Sequence, residues 1–146
     1  MVETILALVF LTVVFFTAFS LSQMLQARTV LDHAAARAAR ARAVGFNEFM
    51  CLKSARAAMI PVAGARLWPA ADAVDEAARV PIYLASEHPG RAAAILDYAH
   101  WHTTEFGMSD GATVETRLKM ATDDWTMDGA AAVESHYPLY MVNGGL

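Results

Sequence analysis

Hydrophobic and polar positions divide the chain into a uniformly apolar start, an amphipathic middle and a mixed C-terminal part. From Thr4 to Ala27 the sequence has no charged residue, and most of its side chains are apolar. About 20 apolar residues, at a rise of about 1.5 Å each, cross the roughly 30 Å hydrocarbon core of a bilayer. Backbone groups in lipid must bond to one another, so residues 1–27 are predicted to form a transmembrane helix.

The same helix is predicted to continue past the apolar segment. No glycine or proline occurs between Gln26 and Gly45, and alanine and arginine, which are frequent there, favour helix. Apolar residues recur at a spacing near 3.6, which indicates an amphipathic helix with a narrow apolar stripe. This stripe comprises Val30, Leu31, Ala34, Ala38, Ala41 and Val44. Gly45 either bends the helix or ends it about 65 Å from its start.

A second, shorter helix is predicted after Gly45. Asn47 is a suitable N-cap for it, because its side chain can accept a hydrogen bond from the first turn. Pro61 closes the segment, since the residue before a proline is pushed away from helical torsion angles. Residues 28–60 are therefore predicted to form a helical stalk.

Residues 61–146 are predicted to form a small α+β head. Acidic residues open a helical stretch near Asp75, and a longer amphipathic helix is predicted from Arg91 to Phe106, with Gly107 as its C-terminal stop. The period then changes to two, which predicts a strand over Ala112–Met120.

A turn at residues 123–129 and a second strand over Ala131–Val142 complete the predicted hairpin. Pro138 confines that second strand to an edge or a bulge. The predicted fold class is thus α+β, with a long N-terminal helix, short helices and an antiparallel sheet.

Composition and charge narrow the functional classes. The chain has 146 residues, 56% hydrophobic, which excludes disorder, and its single cysteine excludes a disulfide scaffold. Residues 28–66 carry seven basic and two acidic side chains, whereas residues 67–146 carry four basic and twelve acidic ones. Opposite charges on stem and head predict attraction, either between copies or within one chain.

No catalytic centre is apparent. His100 and His102 are metal-ligand types, but residues two apart on a helix point about 200° away from each other and cannot meet one ion. His102 and Glu105 share a face, yet two ligands make a weak site. Nucleophile motifs, phosphate loops and CxxC patterns are absent from the sequence. We expect no enzymatic activity and no cofactor.

Two further clusters of charged residues could bind a ligand, but each has a simpler interpretation. Asp123, Asp124 and Asp128 offer hard oxygen ligands for calcium, but Asp and Gly are also the usual turn residues, so a plain turn is the stronger interpretation. A basic patch includes Arg37, but it lacks interleaved aromatic residues and the chain is acidic, so nucleic acid is not an expected partner.

Glu3 is a carboxylate at the edge of the apolar segment with no compensating charge nearby. Such a charge is costly at the border of lipid unless it is paired. An acidic start without Lys or Arg also does not fit a cleavable signal peptide.

An acidic residue ahead of an apolar helix that runs into an amphipathic stalk resembles type IV pilin-like subunits, and more narrowly TadE-like pilins of the Tad (type IVc) pilus. The resemblance covers mostly residues 1–60, with a short strand near Ala132–Tyr140 that also fits. Glu3 stands third here, whereas the family's glutamate is fifth in the mature chain. The matching stretches are Met1–Glu3, the apolar run, and Ala27-Arg28 through Val30-Leu31-Asp32 into the Ala34–Ala41 repeat.

The resemblance implies a structural subunit of a helical filament, with other copies of itself as partners. It implies processing by a prepilin peptidase, residence in the inner membrane with lipid around the helix, and extraction by the pilus assembly machinery to the cell surface. Glu3 would neutralise the N-terminal amine of a neighbour, and an arginine face would meet acidic groups on other heads. The residues expected in the filament core are Phe10, Phe15, Phe16 and Phe19; those expected in the arginine face are Arg37, Arg40 and Arg42.

One alternative stays open at this point. A monomeric, single-span membrane anchor that carries a periplasmic domain, serving as scaffold of a secretion complex, has the same hydropathy pattern.

Overall fold

The structure is organised around one long helix. The computed structural model describes residues 2–69, 75–109, 111–122 and 125–135. The elements in chain order are α1 (Val2–Ala43), α2 (Glu48–Ala58), a 3-10 turn (Ile60–Val62), β1 (Arg66–Trp68), α3 (Glu76–Ala85), α4 (Pro89–Ala93), β2 (Asp97–Tyr98), α5 (Ala99–His102), β3 (Thr104–Ser109), β4 (Thr113–Ala121) and β5 (Thr126–Glu134). The predicted α+β class is confirmed.

α1 ends at a sharp turn rather than bending. Gly45 has a φ of 101°, a conformation that glycine adopts without steric cost, and the chain reverses there. Asn47 then caps α2, because its side chain accepts a 2.9 Å hydrogen bond from the Met50 backbone. α2 stops at Ala58, just before the 3-10 turn that contains Pro61. The predicted N-cap and the predicted role of Pro61 are both confirmed.

The C-terminal half of α1 packs on a three-stranded antiparallel sheet of order β3-β4-β5. The side chains of β4 alternate strictly between buried and exposed, and the buried ones face the core that contains α1. These buried residues of β4 are Val114, Thr116, Leu118 and Met120.

The buried face of α1 is wider than the predicted stripe. Leu31, Ala34 and Ala38 are fully buried as predicted, but Val44 is 69% exposed. The helix contacts both the sheet and α2, so residues on either side of the stripe are covered as well. The full buried set is Ala27, Leu31, Ala34, Ala35, Ala38, Ala39 and Ala43.

Small residues let the sheet approach α1 closely. Thr116 donates a 2.7 Å hydrogen bond from its hydroxyl to the Ala35 carbonyl. Gly129 on β5 lies directly against the Leu31 backbone, where an added Cβ would come within 2.5 Å of the Leu31 carbonyl carbon. Next to it, Asp32 accepts a 3.2 Å hydrogen bond from the Ala130 amide.

A second apolar cluster holds the shorter elements together. Trp101 is buried between Tyr83 and Tyr98, with ring centroids 5.3 and 4.8 Å away. The Tyr98 hydroxyl donates to the Glu76 carboxylate. Burial, with that carboxylate adding to it, raises the pKa of Tyr98, so this contact persists at neutral pH.

Lys53 joins α2 to the end of α3. Its side chain is almost fully buried, and its Nζ donates to the carbonyls of Leu84, at 2.7 Å, and Ser86. The Nζ also lies 4.9 Å from the centre of the Phe49 ring. A cation at a helix C-terminus is favourable because unpaired carbonyls concentrate negative charge there.

The helix predicted from Arg91 to Phe106 is wrong. The chain instead forms the short helix α4, pairs Asp97 and Tyr98 with β1, makes one turn of helix and enters β3. Gly107, predicted as a helix stop, lies inside β3 opposite Arg117. Strand pairing with β4 outweighs the local helical pattern, because the residues of β3 also alternate between the two faces of a sheet.

The predicted hairpin is correct in its first strand and shifted in its second. The strand predicted over Ala112–Met120 is β4, but β5 already begins at Thr126, so Asp128 and Gly129 belong to a strand and not to a turn. Gly129 is used for close packing on α1 rather than for chain reversal. The rest of the predicted second strand from residue 136, including Pro138, lies outside the described residues.

Replacing Gly129 with alanine tests the close contact between the sheet and α1. We expect the variant to lose about 1–3 kcal/mol of folding free energy, because the new methyl group meets backbone that has to shift. Gly107→Ala is the matched control, since its Cβ would have no neighbour nearer than 4.0 Å. Urea unfolding of the full chain in detergent measures both. Equal stabilities would contradict the contact.

Replacing Lys53 with methionine tests its buried contacts. At pH 7 we expect a loss of about 1–3 kcal/mol, because two carbonyls lose their donor. Burial lowers the pKa of Lys53 below its ordinary 10.5. The folded state therefore releases this proton at lower pH than the unfolded state, and stability rises with pH between the lowered pKa and 10.5.

The difference in unfolding free energy between the natural chain and Lys53→Met should consequently widen as the pH approaches 10.5. Lys119→Met is the control, since Lys119 is exposed and its replacement removes a lysine without removing a buried contact. Urea titrations at several pH values measure this. A difference for Lys53→Met that narrows with pH would contradict the assignment.

Candidate assembly surface

The first 25 described residues of α1 form an apolar surface that their own chain leaves uncovered. Residues 2–26 are all exposed, whereas the same helix is buried in the head from Ala27 onward. Within the described part of the chain, α1 alone is long and apolar enough to cross a membrane. The most apolar stretch of this helix is entirely exposed. We call residues 2–26 the apolar segment.

Two threonine side chains of the apolar segment are satisfied inside the helix. Thr12 donates to the Val9 carbonyl and Thr17 to the Val13 carbonyl, both at 2.8 Å. A hydroxyl that bonds back to its own helix needs no water, so it can face lipid or other apolar helices. These two threonines therefore add no unsatisfied donor to the apolar segment.

Aromatic rings are concentrated in the middle of the apolar segment. Phe15 lies parallel to Phe19, with ring centroids 6.5 Å apart, and edge-on to Phe16 at 6.2 Å. Phe10, one turn earlier, is 72% exposed. All four rings are available to a partner, as their predicted role in packing requires.

Glu3 lies exposed in the first turn of α1. A carboxylate is favourable there, because the free amides of a helix N-terminus carry partial positive charge. Within the part of the chain that the structure describes, no cation pairs with Glu3. Its position thus leaves both carboxylate oxygens available to another molecule.

The three predicted arginines do not form a single face. Arg37 and Arg40 are exposed, and they share one side of α1 with His33 and Val44, at spacings of three and four residues. Arg42 is half-buried and donates a 3.1 Å hydrogen bond to the Phe46 carbonyl, across the turn that ends the helix. The structure therefore assigns Arg42 to the turn, and leaves Arg37 and Arg40 as the exposed pair.

Of the three possible calcium ligands, one lies among the residues that the structure describes. Asp123 and Asp124 lie outside them, and Asp128 lies in β5 opposite Lys119. Among the described residues there is no group of three His, Cys, Asp or Glu side chains that could hold a metal ion. His102 instead bonds to Asp97 at 2.9 Å, a pair that the sequence analysis missed.

Comparison with known proteins gives one match. Residues 1–40 match the family model described as TadE-like protein. No curated protein and no solved structure matches the chain. The matched range covers the apolar segment and the first part of α1 that is buried in the head. The predicted resemblance to TadE-like proteins is thereby confirmed for residues 1–40, and it indicates a Tad pilus-associated protein with an apolar N-terminal helix.

Proposed function

We propose that this chain is a structural subunit, a pilin or minor pilin, of a Tad-type cell-surface filament. The observation that carries the proposal is that one continuous helix, α1, forms the core of the head with its second half and offers a fully exposed apolar surface with its first half. The family match over residues 1–40 supports the same role. The proposed role is structural and requires no catalysis and no cofactor.

The apolar segment suits two environments in succession. Removing a Leu, Val or Phe side chain from water contributes roughly 1.5–3 kcal/mol, so residues 2–26 will not remain in water. Their preference between lipid and a bundle of identical helices is much smaller, because lipid tails are as apolar as these side chains. The helix can thus reside in the inner membrane before assembly and move into the filament core without a large net change in free energy.

Glu3 provides a specific contact in this otherwise non-directional packing. We propose that it neutralises the N-terminal amine of a neighbouring copy, as the resemblance implies. The further proposed partners of the subunit are a prepilin peptidase and the pilus assembly machinery. The final location is the cell surface, and no nucleic acid takes part.

The alternative is a monomeric membrane anchor whose head acts as scaffold of a secretion complex. It requires the same apolar segment but gives no role to an exposed carboxylate at its first turn. Electron microscopy of the purified full chain separates the two: regular filaments support the subunit, and dispersed particles support the anchor.

Replacing Glu3 with alanine tests the subunit proposal directly. We expect filament number to fall at least tenfold while membrane insertion is unchanged, because the apolar segment is intact and only its specific partner is lost. Glu134→Gln, at the exposed end of β5, is the control and should assemble normally. Filaments are counted by electron microscopy. Normal assembly of Glu3→Ala would favour the plain anchor.

Replacing both Phe15 and Phe19 with alanine tests whether the rings pack between copies. Lipid tolerates the smaller side chains, whereas a close-packed bundle is left with cavities that cost several kcal/mol per subunit. We expect fewer or less stable filaments, with the protein still recovered in the membrane fraction. Heating the filaments and following their dissociation measures the effect. Unchanged filament stability would mean that these rings face outward.

A further inference from the structure

Near the C-terminal end of α1, positively charged side chains lie close to exposed apolar side chains. Arg37 and Arg40 lie on the side of α1 that faces away from the sheet, and Val44 follows one turn later on that side. Val44 is 69% exposed, and Phe46 in the adjoining turn is 51% exposed. Cations next to uncovered apolar side chains fit a partner that carries a carboxylate beside an apolar surface.

Two carboxylates on the outer face of the sheet already have partners. Glu105 lies 3.8 Å from Lys119, and Glu115 lies 3.9 Å from Arg117. On α1 itself, Asp32 accepts a hydrogen bond from the Ala130 amide. Glu3 differs from these three, since no cation or amide pairs with it among the described residues and it lies directly beside apolar side chains.

The distance along α1 from Glu3 to the two arginines determines how far one copy must be shifted along another for its Glu3 to reach them. Arg37 and Arg40 follow Glu3 by 34 and 37 residues. At about 1.5 Å per residue, a parallel copy shifted by about 51–56 Å brings its Glu3 level with these arginines. The same shift brings Val44 level with residues 7–10 of the shifted copy, a stretch that reads Ala-Leu-Val-Phe. A single shift therefore brings opposite charges together and also brings two apolar surfaces together.

We propose that Arg37 and Arg40 of one copy bind Glu3 of a second copy displaced about 51–56 Å along the filament, with Val44 packed on residues 7–10 of that copy. The inference rests on the proposed function and names the partner of its assembly surface. A carboxylate has two oxygens and accepts up to about four hydrogen bonds, so Glu3 can bind these guanidinium groups as well as an amine. Neighbouring apolar side chains exclude water and strengthen the contact.

Cysteine cross-linking of assembled filaments tests the register while leaving every charge in place. In the double variant Leu8→Cys with Val44→Cys, oxidation should join successive copies into a ladder of covalent oligomers on a denaturing gel. Gln26→Cys with Val44→Cys is the matched control, because position 26 is five turns after position 8 on the same side of the helix, about 27 Å away. The native Cys51 is buried and should not react.

A charge reversal provides the second measurement. Arg37→Glu with Arg40→Glu should reduce filament number at least tenfold, whereas Arg37→Lys with Arg40→Lys, which keeps both positive charges, should retain most of the filaments. Near-ultraviolet circular dichroism checks that the head is folded, as expected for substitutions at exposed positions.

The outcomes separate this inference from the proposed function. Filaments that give the control ladder, or no ladder, overturn the register but leave the subunit role intact. Failure of the natural chain to form any filament overturns both. A ladder from Leu8→Cys with Val44→Cys, together with loss of filaments on charge reversal but not in the lysine variant, supports the register.

Discussion

The contact between the alanine-rich half of α1 and the three-stranded sheet is the interaction on which the rest of the molecule depends. Six of the seven buried residues on α1 are alanines, and β5 offers Gly129 at the point of closest approach. Small side chains on both surfaces let the backbones come close enough for Thr116 to bond to a helix carbonyl. The three-stranded sheet consequently has no core that is independent of the long helix.

The two halves of α1 differ in the size of their side chains. From Ala27 onward it carries small residues that fit the sheet and α2 of the same chain, and before Ala27 it carries large apolar residues that the chain leaves exposed. The change takes place without a break in the helix. The position of the head relative to the apolar segment is therefore determined by helix geometry, and not by a linker.

Features that depend on local chemistry could be predicted from the sequence. The helical period, the Asn47 cap and the strict alternation of β4 each leave a signal within about ten residues, and all three are confirmed. The segment from Arg91 to Phe106 could not be predicted in this way, because its helical and strand patterns compete locally and pairing with β1 and β4 decides between them. Gly129 was mistaken for a turn residue since its true constraint is Leu31, almost a hundred positions away.

At the candidate site, the exposure of residues 2–26 followed from hydropathy. The separation of Arg42 from Arg37 and Arg40 depended on the turn at Gly45.

The direction of the strands relative to α1 has a mechanical consequence. Thr116 lies beside Ala35, and Gly129, which pairs with the next inward-facing residue of β4, lies beside Leu31, so the strands run roughly alongside the helix. Tension on residues 2–26 would load this contact in shear, distributing force over all its rows at once, rather than peeling it open one row at a time.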